Sequence, residues 1–295
     1  MTTIAFIGFG EAGGLLAEGL VASGAKVSAT YDILIDDPAK APALVAKAEK
    51  IGVRAAKSTK DAIAGADIVI AAVVCSDSPT AARNVAACIA PGQVYLDINS
   101  TSPMVKQENA EIIEAAGGRY VDVAVMDLVP PHGHKVPMLL AGKAAADVAP
   151  VLKGFGMNVQ AIGEAVGKAS TIKMVRSVFL KGFSAILIES LVAASKVGAH
   201  RQVLDSLQVT FPQINWYEMA DYYATRLIKH ARRQASEMHE VSDTLEFLEV
   251  EPFTAMATAM RLEWVADLNL QDAAAVPTDC ESFLRAVNAV AGTQP

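Results

Sequence analysis

Ile4-Ala5-Phe6-Ile7-Gly8-Phe9-Gly10-Glu11-Ala12-Gly13 opens the stretch, residues 3–32, on whose reading the fold depends. An apolar run enters a glycine-rich turn. Leu15, Leu16, Gly19 and Leu20 follow in a helical pattern, and a second apolar run from Lys26 to Tyr31 closes on Asp32. The order is strand, glycine turn, helix, strand, acid. Gly8 permits the tight turn, Gly10 lets the backbone approach a pyrophosphate, and Gly13 lets the helix lie close on the strand. The first helical N–H groups lack partners within the helix, so together with the helix dipole they favour an anion.

A glycine triplet alone is a weak signal. This one follows a strand, opens a helix and has a carboxylate 19 residues past its last glycine, the context that marks a dinucleotide site. The expected cofactor contacts are Gly8, Phe9, Gly10, Glu11, Ala12 and Gly13, with Asp32 on the ribose 2′-OH. A carboxylate there repels a 2′-phosphate, and the following residues include Asp36 and Asp37 but no arginine. NAD is therefore expected over NADP.

Outward from this unit, residues 38–51 read as an alanine-rich helix, 53–56 as a short strand, and Ser58 as the cap of a helix through Ile63. The run 67–74 suits a parallel strand buried on both faces. A helix from the Cys75–Pro79 turn to near Ala90, a strand at 94–98, a helix at 104–116, a strand at 119–125, a strand at 138–142 and a helix at 144–154 continue the alternation. Such alternation predicts a Rossmann-like doubly wound α/β domain, residues 1–164. Ligands in these sheets lie beyond the carboxyl ends of the strands, which adds Val74, Cys75 and Asn99 to the expected cofactor contacts. From 165 to 295 strand signals vanish. A long connecting helix over 166–197 leads into an all-helical domain with segments 200–210, 216–240, 252–268 and 279–291. Met256, Met260 and Trp264, at helical spacing, are expected in its core.

The 295 residues suffice for two domains. A net charge of −7 argues against nucleic acid as a partner. Cys75, Cys88 and Cys280 are odd in number, widely spaced and without metal-ligand spacing, which suits a reducing compartment. The first strand begins within a few residues of Met1, leaving no room for a signal peptide. No apolar run approaches the roughly 18 residues that span a bilayer; the longest, 183–195, is interrupted by Glu189. A cytoplasmic protein without membrane partners is expected.

On the long helix, Lys173, Arg176, Ser177, Lys181 and Ser184 fall within one stripe about 140° wide. The stripe reads either as the wet face of a core helix or as a cationic face toward the cleft. In the second case Lys173 moves a proton, while Arg176 and Lys181 hold a substrate carboxylate, arginine in bidentate fashion.

The glycine turn, a mid-chain Ser100-Thr101-Ser102-Pro103 and the Gly163…Gly167…Lys173 spacing together resemble the β-hydroxyacid dehydrogenases, the relatives of 3-hydroxyisobutyrate and 6-phosphogluconate dehydrogenases. The resemblance spans the whole chain. Its helical half is similar to a branch with a 6-phosphogluconate dehydrogenase-like C-terminal domain of poorly defined substrate, through Lys173–Gly182 and the run His230-Ala231-Arg232-Arg233…Glu237-Met238. The resemblance implies hydride transfer between nicotinamide and a small β-hydroxy acid, with Lys173 as general acid/base. It further implies Ser100 and Thr101 on the substrate, and a homodimer in which the C-terminal domain completes the partner's cleft, making His230 and Arg233 substrate-side candidates.

Two stretches depart from the family pattern. Its Lys-x-x-Asn-Asn is here Lys173-x-x-Arg176-Ser177, and its Asp-Ala-Pro-Val-Ser-Gly-Gly is here Asp122-Val123-Ala124-Val125-Met126-Asp127-Leu128. A loop with His132 and His134 follows; the pair could touch substrate or, lacking an evident third ligand, a metal. The departures put the family's known substrates in doubt rather than its fold. Two rivals stand beside the dehydrogenase reading. One is an imine reductase-like enzyme, which the retained Lys173 disfavours, and the other is a non-catalytic NAD-binding sensor.

Overall fold

Alternation in the strands sorts the first core. Ile4 and Phe6, Ile68 and Ile70, and Leu96 point to one side with Leu16 and Leu20, while Ile7, Val69, Ala71, Tyr95 and Tyr120 join Ile63, Val85 and Ile113 on the other. Side chains alternate with period two, so a sheet buried on both faces carries apolar residues at every position. The computed structural model describes residues 2–291.

The chain runs β1 (Thr3–Ile7), α1 (Glu11–Ala22), β2 (Lys26–Tyr31), α2 (Ala41–Lys50), β3 (Arg54–Ala55), α3 (Thr59–Ile63), β4 (Ile68–Ala71), α4 (Ser78–Ala86), β5 (Val94–Asp97), α5 (Pro103–Ala115), β6 (Arg119–Val125), α6 (Val129–His132), β7 (Met138–Ala141), α7 (Ala145–Gly154) and β8 (Val159–Ala161). Ser58 caps α3, its Oγ accepting from Asp61 N at 3.1 Å. Sheet order is β3-β2-β1-β4-β5-β6-β7-β8, the doubly wound order with two added strands. Pairing is parallel except between β6 and β7. A parallel return usually needs a full crossover helix; here the connection holds the single-turn α6 and a 3₁₀ turn, Gly133–Lys135, and the chain doubles back. β8 has no counterpart among the expected strands.

Register aligns Ile7 with Ala71, Ala71 with Asp97, and Asp97 with Asp122. The segments starting at Gly8, Ala72 and Ile98 therefore leave the sheet along one edge.

The helical part comprises α8 (Lys168–Ser195), α9 (His200–Thr210), α10 (Trp216–Phe247), α11 (Phe253–Asp267) and α12 (Cys280–Ala291). Two compact units divide inside α8, Met1–Lys173 and Met174–Pro295, so the first keeps the opening turns of that helix. The second is built on α10, whose Ala220, Ala224, Leu227, Ala231, Ala235, Met238 and Val241 form a buried helical stripe against Ala255, Ala259 and Leu262 of α11 and Phe283 of α12. Met256 and Met260 are exposed. They do not join the core because α11 turns its small residues to α10, leaving the methionines on the opposite face.

An 18-residue window of α8 has a mean hydropathy of 1.6 with 33% of it buried, so the helix is long and apolar enough, by length and composition, to cross a bilayer. An uninterrupted run stops at Glu189, whereas a window average absorbs isolated charges.

Candidate active site

The glycine turn assigns its residues different tasks. Gly8 has φ +89°, where an L side chain is strained, and a Cβ there would lie 2.4 Å from Ala72 O on the neighbouring segment. At Gly13 a Cβ would lie 2.6 Å from Gly8 O, so the helix reaches the turn only without one. At Gly10 a Cβ would meet nothing within 4 Å. Protein packing demands the first and third glycines. The space beside the second is open, as close approach of a pyrophosphate to the backbone requires. Asp32 Oδ2 accepts from Phe9 N at 2.7 Å and Oδ1 from Leu34 N at 2.9 Å, so the acid ties the turn to the end of β2. Its unused lone pairs remain for ribose hydroxyls. Beside it Tyr31 donates to Asp36 at 2.6 Å, and that bond, with burial, pushes the tyrosine up to about 12.

After β5 stands Ser100, half-buried, and Lys173 Nζ reaches its Oγ at 2.5 Å. Both partners rest on one buried polar network. Lys106, Asp97 and Asp122 are fully buried. Lys106 Nζ donates to Asp97 Oδ1 at 2.8 Å and Asp97 O at 2.6 Å, and lies 3.8 Å from Asp122 Oδ1. Asp97 also accepts from Asn99 N (3.0 Å), Asn99 Nδ2 (2.8 Å) and Tyr120 Oη (2.8 Å), which fixes the strand end preceding Ser100. Asp122 Oδ2 accepts from Gly167 N (3.1 Å), Ser170 N (3.1 Å) and Ser170 Oγ (3.2 Å). Those donors sit at the start of α8, so a carboxylate on β6 caps the helix that carries Lys173.

Burial pushes Asp97 up, but the Lys106 ammonium and the converging hydrogen bonds win and hold it below the usual carboxylate range. For Asp122 burial wins and its carboxyl is pushed up, against Lys106 and the Ser170 bonds. Two carboxylates face one ammonium. The partial positive charge of the α8 N-terminus offsets part of the difference.

Several expected site residues take other partners. Asn99 is buried, accepts from Val73 N at 2.7 Å and donates to Asp97 and Ser78. Its amide holds the β4 and β5 ends together. Thr101 is buried, and its Oγ1 has no hydrogen-bond partner among the described residues. Val74 is exposed, and Cys75, a free half-buried thiol, opens a short 3₁₀ turn.

His134 is buried against α1, its Nε2 2.9 Å from Ser23 Oγ and its ring filling the notch left by Gly19. Burial, then Lys135, lowers its pKa. His132 is on the surface, 3.4 Å from Asp127. The two histidines therefore take separate partners rather than converging on one ligand. Arg176 is exposed, and Ser177 and His230 are half-buried. Lys181 pairs with Glu237 at 2.7 Å, and Glu237 with Arg233 at 2.6 Å. Lys181 is thus engaged by a carboxylate of its own unit. The sequence does not announce the network formed by Lys106, Asp97 and Asp122. The one available signal was a charged residue inside each of three otherwise apolar or amphipathic segments.

Residues 3–101 match the family described as NADP oxidoreductase coenzyme F420-dependent, and residues 194–265 match a domain of unknown function, DUF1932. A conserved hypothetical protein from Sinorhizobium meliloti is 38% identical, with 98% of this chain and 97% of that one covered and a TM-score of 0.78. A conserved protein of unknown function, reported to resemble 3-hydroxyacid dehydrogenases, is 30% identical over 92% of this chain and all of its own, with a TM-score of 0.72. An uncharacterized 28.5 kDa protein of Methanothermus fervidus is 30% identical over 81% of this chain and 88% of its own. More distantly, 3-hydroxyisobutyrate dehydrogenase of Mycobacterium tuberculosis shares the fold at 19% identity, 97% and 99% coverage and a TM-score of 0.72. These likenesses support an oxidoreductase of dehydrogenase type that binds a nicotinamide dinucleotide.

Proposed function

The chain belongs to the β-hydroxyacid dehydrogenase family, and from that premise we propose an NAD-dependent oxidoreductase acting on the hydroxyl of a small β-hydroxy acid, or on the corresponding carbonyl. The observation that carries this reading is the Lys173–Ser100 pair at 2.5 Å, built at the strand-end edge of the same sheet as the glycine turn. Gly8 to Gly13 and Asp32 would hold the dinucleotide, which when bound supplies the hydride acceptor or donor. Lys173 serves the proton. Its Nζ takes the hydroxyl proton in oxidation and returns it to the carbonyl oxygen in reduction, while Ser100 Oγ orients both lysine and substrate oxygen. Arg176, exposed three residues further along α8, anchors the carboxylate. Asp32 favours NAD over NADP.

The test is nicotinamide absorbance with NAD and NADP separately against a panel of aliphatic and aryl β-hydroxy acids, for wild type and Lys173→Ala. Turnover with NAD that collapses in the variant is the expected result. Undiminished turnover in the variant removes the lysine from the mechanism. Intact NAD binding with no turnover across the panel favours a substrate outside the panel or the sensor.

The helical unit exposes Phe179, Ile186, Phe253 and Met260, and a groove of about 530 Å³ lies among Val175, Phe179, Ile186, Val250 and Phe253. Apolar surface of this extent supports a homodimer through this unit. Sedimentation at micromolar concentration should give twice the chain mass, and a single-chain mass there refutes the dimer.

A further inference from the structure

A fourth glycine, Gly14, directly follows the glycine turn. It lies in the first turns of α1, where helix propensity disfavours glycine. A Cβ there would lie 2.4 Å from Lys47 Nζ and 2.5 Å from Lys47 Cε. Lys47 stands on α2, and its side chain crosses α1 through the gap that Gly14 leaves. Its ammonium donates to Gly10 O at 2.6 Å and to Phe9 O at 3.1 Å, and sits 5.2 Å from the centre of the Phe9 ring.

The ammonium stands beside the N-terminus of α1. A helix N-terminus carries about half a positive charge, so a cation beside it is repelled. Among the described residues the hydrogen bonds of Lys47 go to those two neutral carbonyls, which leaves one of its three N–H donors to spare. An anion seated at the turn reverses the balance, because ammonium and helix end then attract the same charge.

We propose that Lys47 binds a phosphate group of the dinucleotide, with Gly14 as the notch that seats it. The proposal rests on the reading that the glycine turn takes a nicotinamide dinucleotide. Two groups offer this chemistry: the pyrophosphate, common to NAD and NADP, and the 2′-phosphate of NADP alone. Asp32 lies one hydrogen bond from Phe9, whose carbonyl Lys47 holds, so a cation here also bears on the discrimination between the two cofactors.

The experiment is calorimetric titration of the full chain with NAD and with NADP, for wild type, Lys47→Gln, Lys47→Arg and Gly14→Ala, with melting temperature as the folding control. Lys47→Gln should weaken binding about tenfold or more, the loss of one charge-assisted contact, with the melting temperature unchanged. Gly14→Ala should weaken it similarly, because the new Cβ displaces the flexible end of a side chain rather than backbone. Lys47→Arg should recover part of the affinity. Equal losses for NAD and NADP assign the pyrophosphate; a loss confined to NADP assigns the 2′-phosphate. Wild-type binding that Lys47→Gln leaves unchanged for both cofactors overturns the proposal and leaves the dinucleotide site standing. Failure of the wild type to bind either cofactor overturns both.

Discussion

Lys173 Nζ lies 2.5 Å from Ser100 Oγ although 73 residues separate them in the chain. Contacts on two strands hold the pair in place. Asp97 and Asn99 fix the strand end before the serine, and Asp122 caps the helix on which the lysine stands. If the pair moves the substrate proton, Lys173→Met should lower kcat by about 10²- to 10⁴-fold and leave dinucleotide affinity unchanged. Steady-state kinetics beside a binding titration separates the two quantities.

The buried trio beneath the pair should be intolerant of losing its cation. Lys106→Met leaves Asp97 and Asp122 buried without their shared ammonium, and about 3–5 kcal/mol of stability should be lost. Urea unfolding measures it. Adding Asp97→Asn to Lys106→Met should cost less than the sum of the single changes, since the second substitution removes a charge that the first left unpaired.

Gly8 and Gly10 should fail in opposite ways. Gly8→Ala places a Cβ 2.4 Å from Ala72 O at a left-handed φ, and should cost about 3 kcal/mol or more in stability. Gly10→Ala meets no protein atom within 4 Å and should leave the melting temperature unchanged while weakening dinucleotide binding. Melting curves beside titrations with NAD test the contrast.

His134 should make stability depend on mild acid. Burial lowers its folded pKa, so below the ordinary imidazole value of about 6.5 the unfolded chain binds a proton that the folded chain resists. Its share of stability is complete above that value and is lost as pH falls toward the folded pKa. Unfolding free energies measured in steps from pH 8 to pH 5 should decline on the acid side. The decline should be shallower in His134→Gln, whose side chain does not titrate.

Much of the architecture was decided by the sequence alone, because its causes are local. Strands β1, β2, β4, β5 and β6 follow from apolar runs closed by glycine, proline or polar breaks. The glycine turn and Asp32 read directly, since a left-handed φ and a close helix–strand approach admit few other residues. Lys173 and Ser100 were both legible as candidates. The tertiary structure decided what depends on distant partners. It set the antiparallel direction of β7, the added strand β8 and the outward face of Met256 and Met260. It gave the Asn99 amide to Val73 and Asp97, and Lys181 to Glu237. A helix apolar on both sides does not declare its buried face, and a polar side chain does not declare its partner. Only packing brings Asp97, Lys106 and Asp122 out of water together, and the cost of leaving any of them unpaired then dictates where the chain around the site must lie.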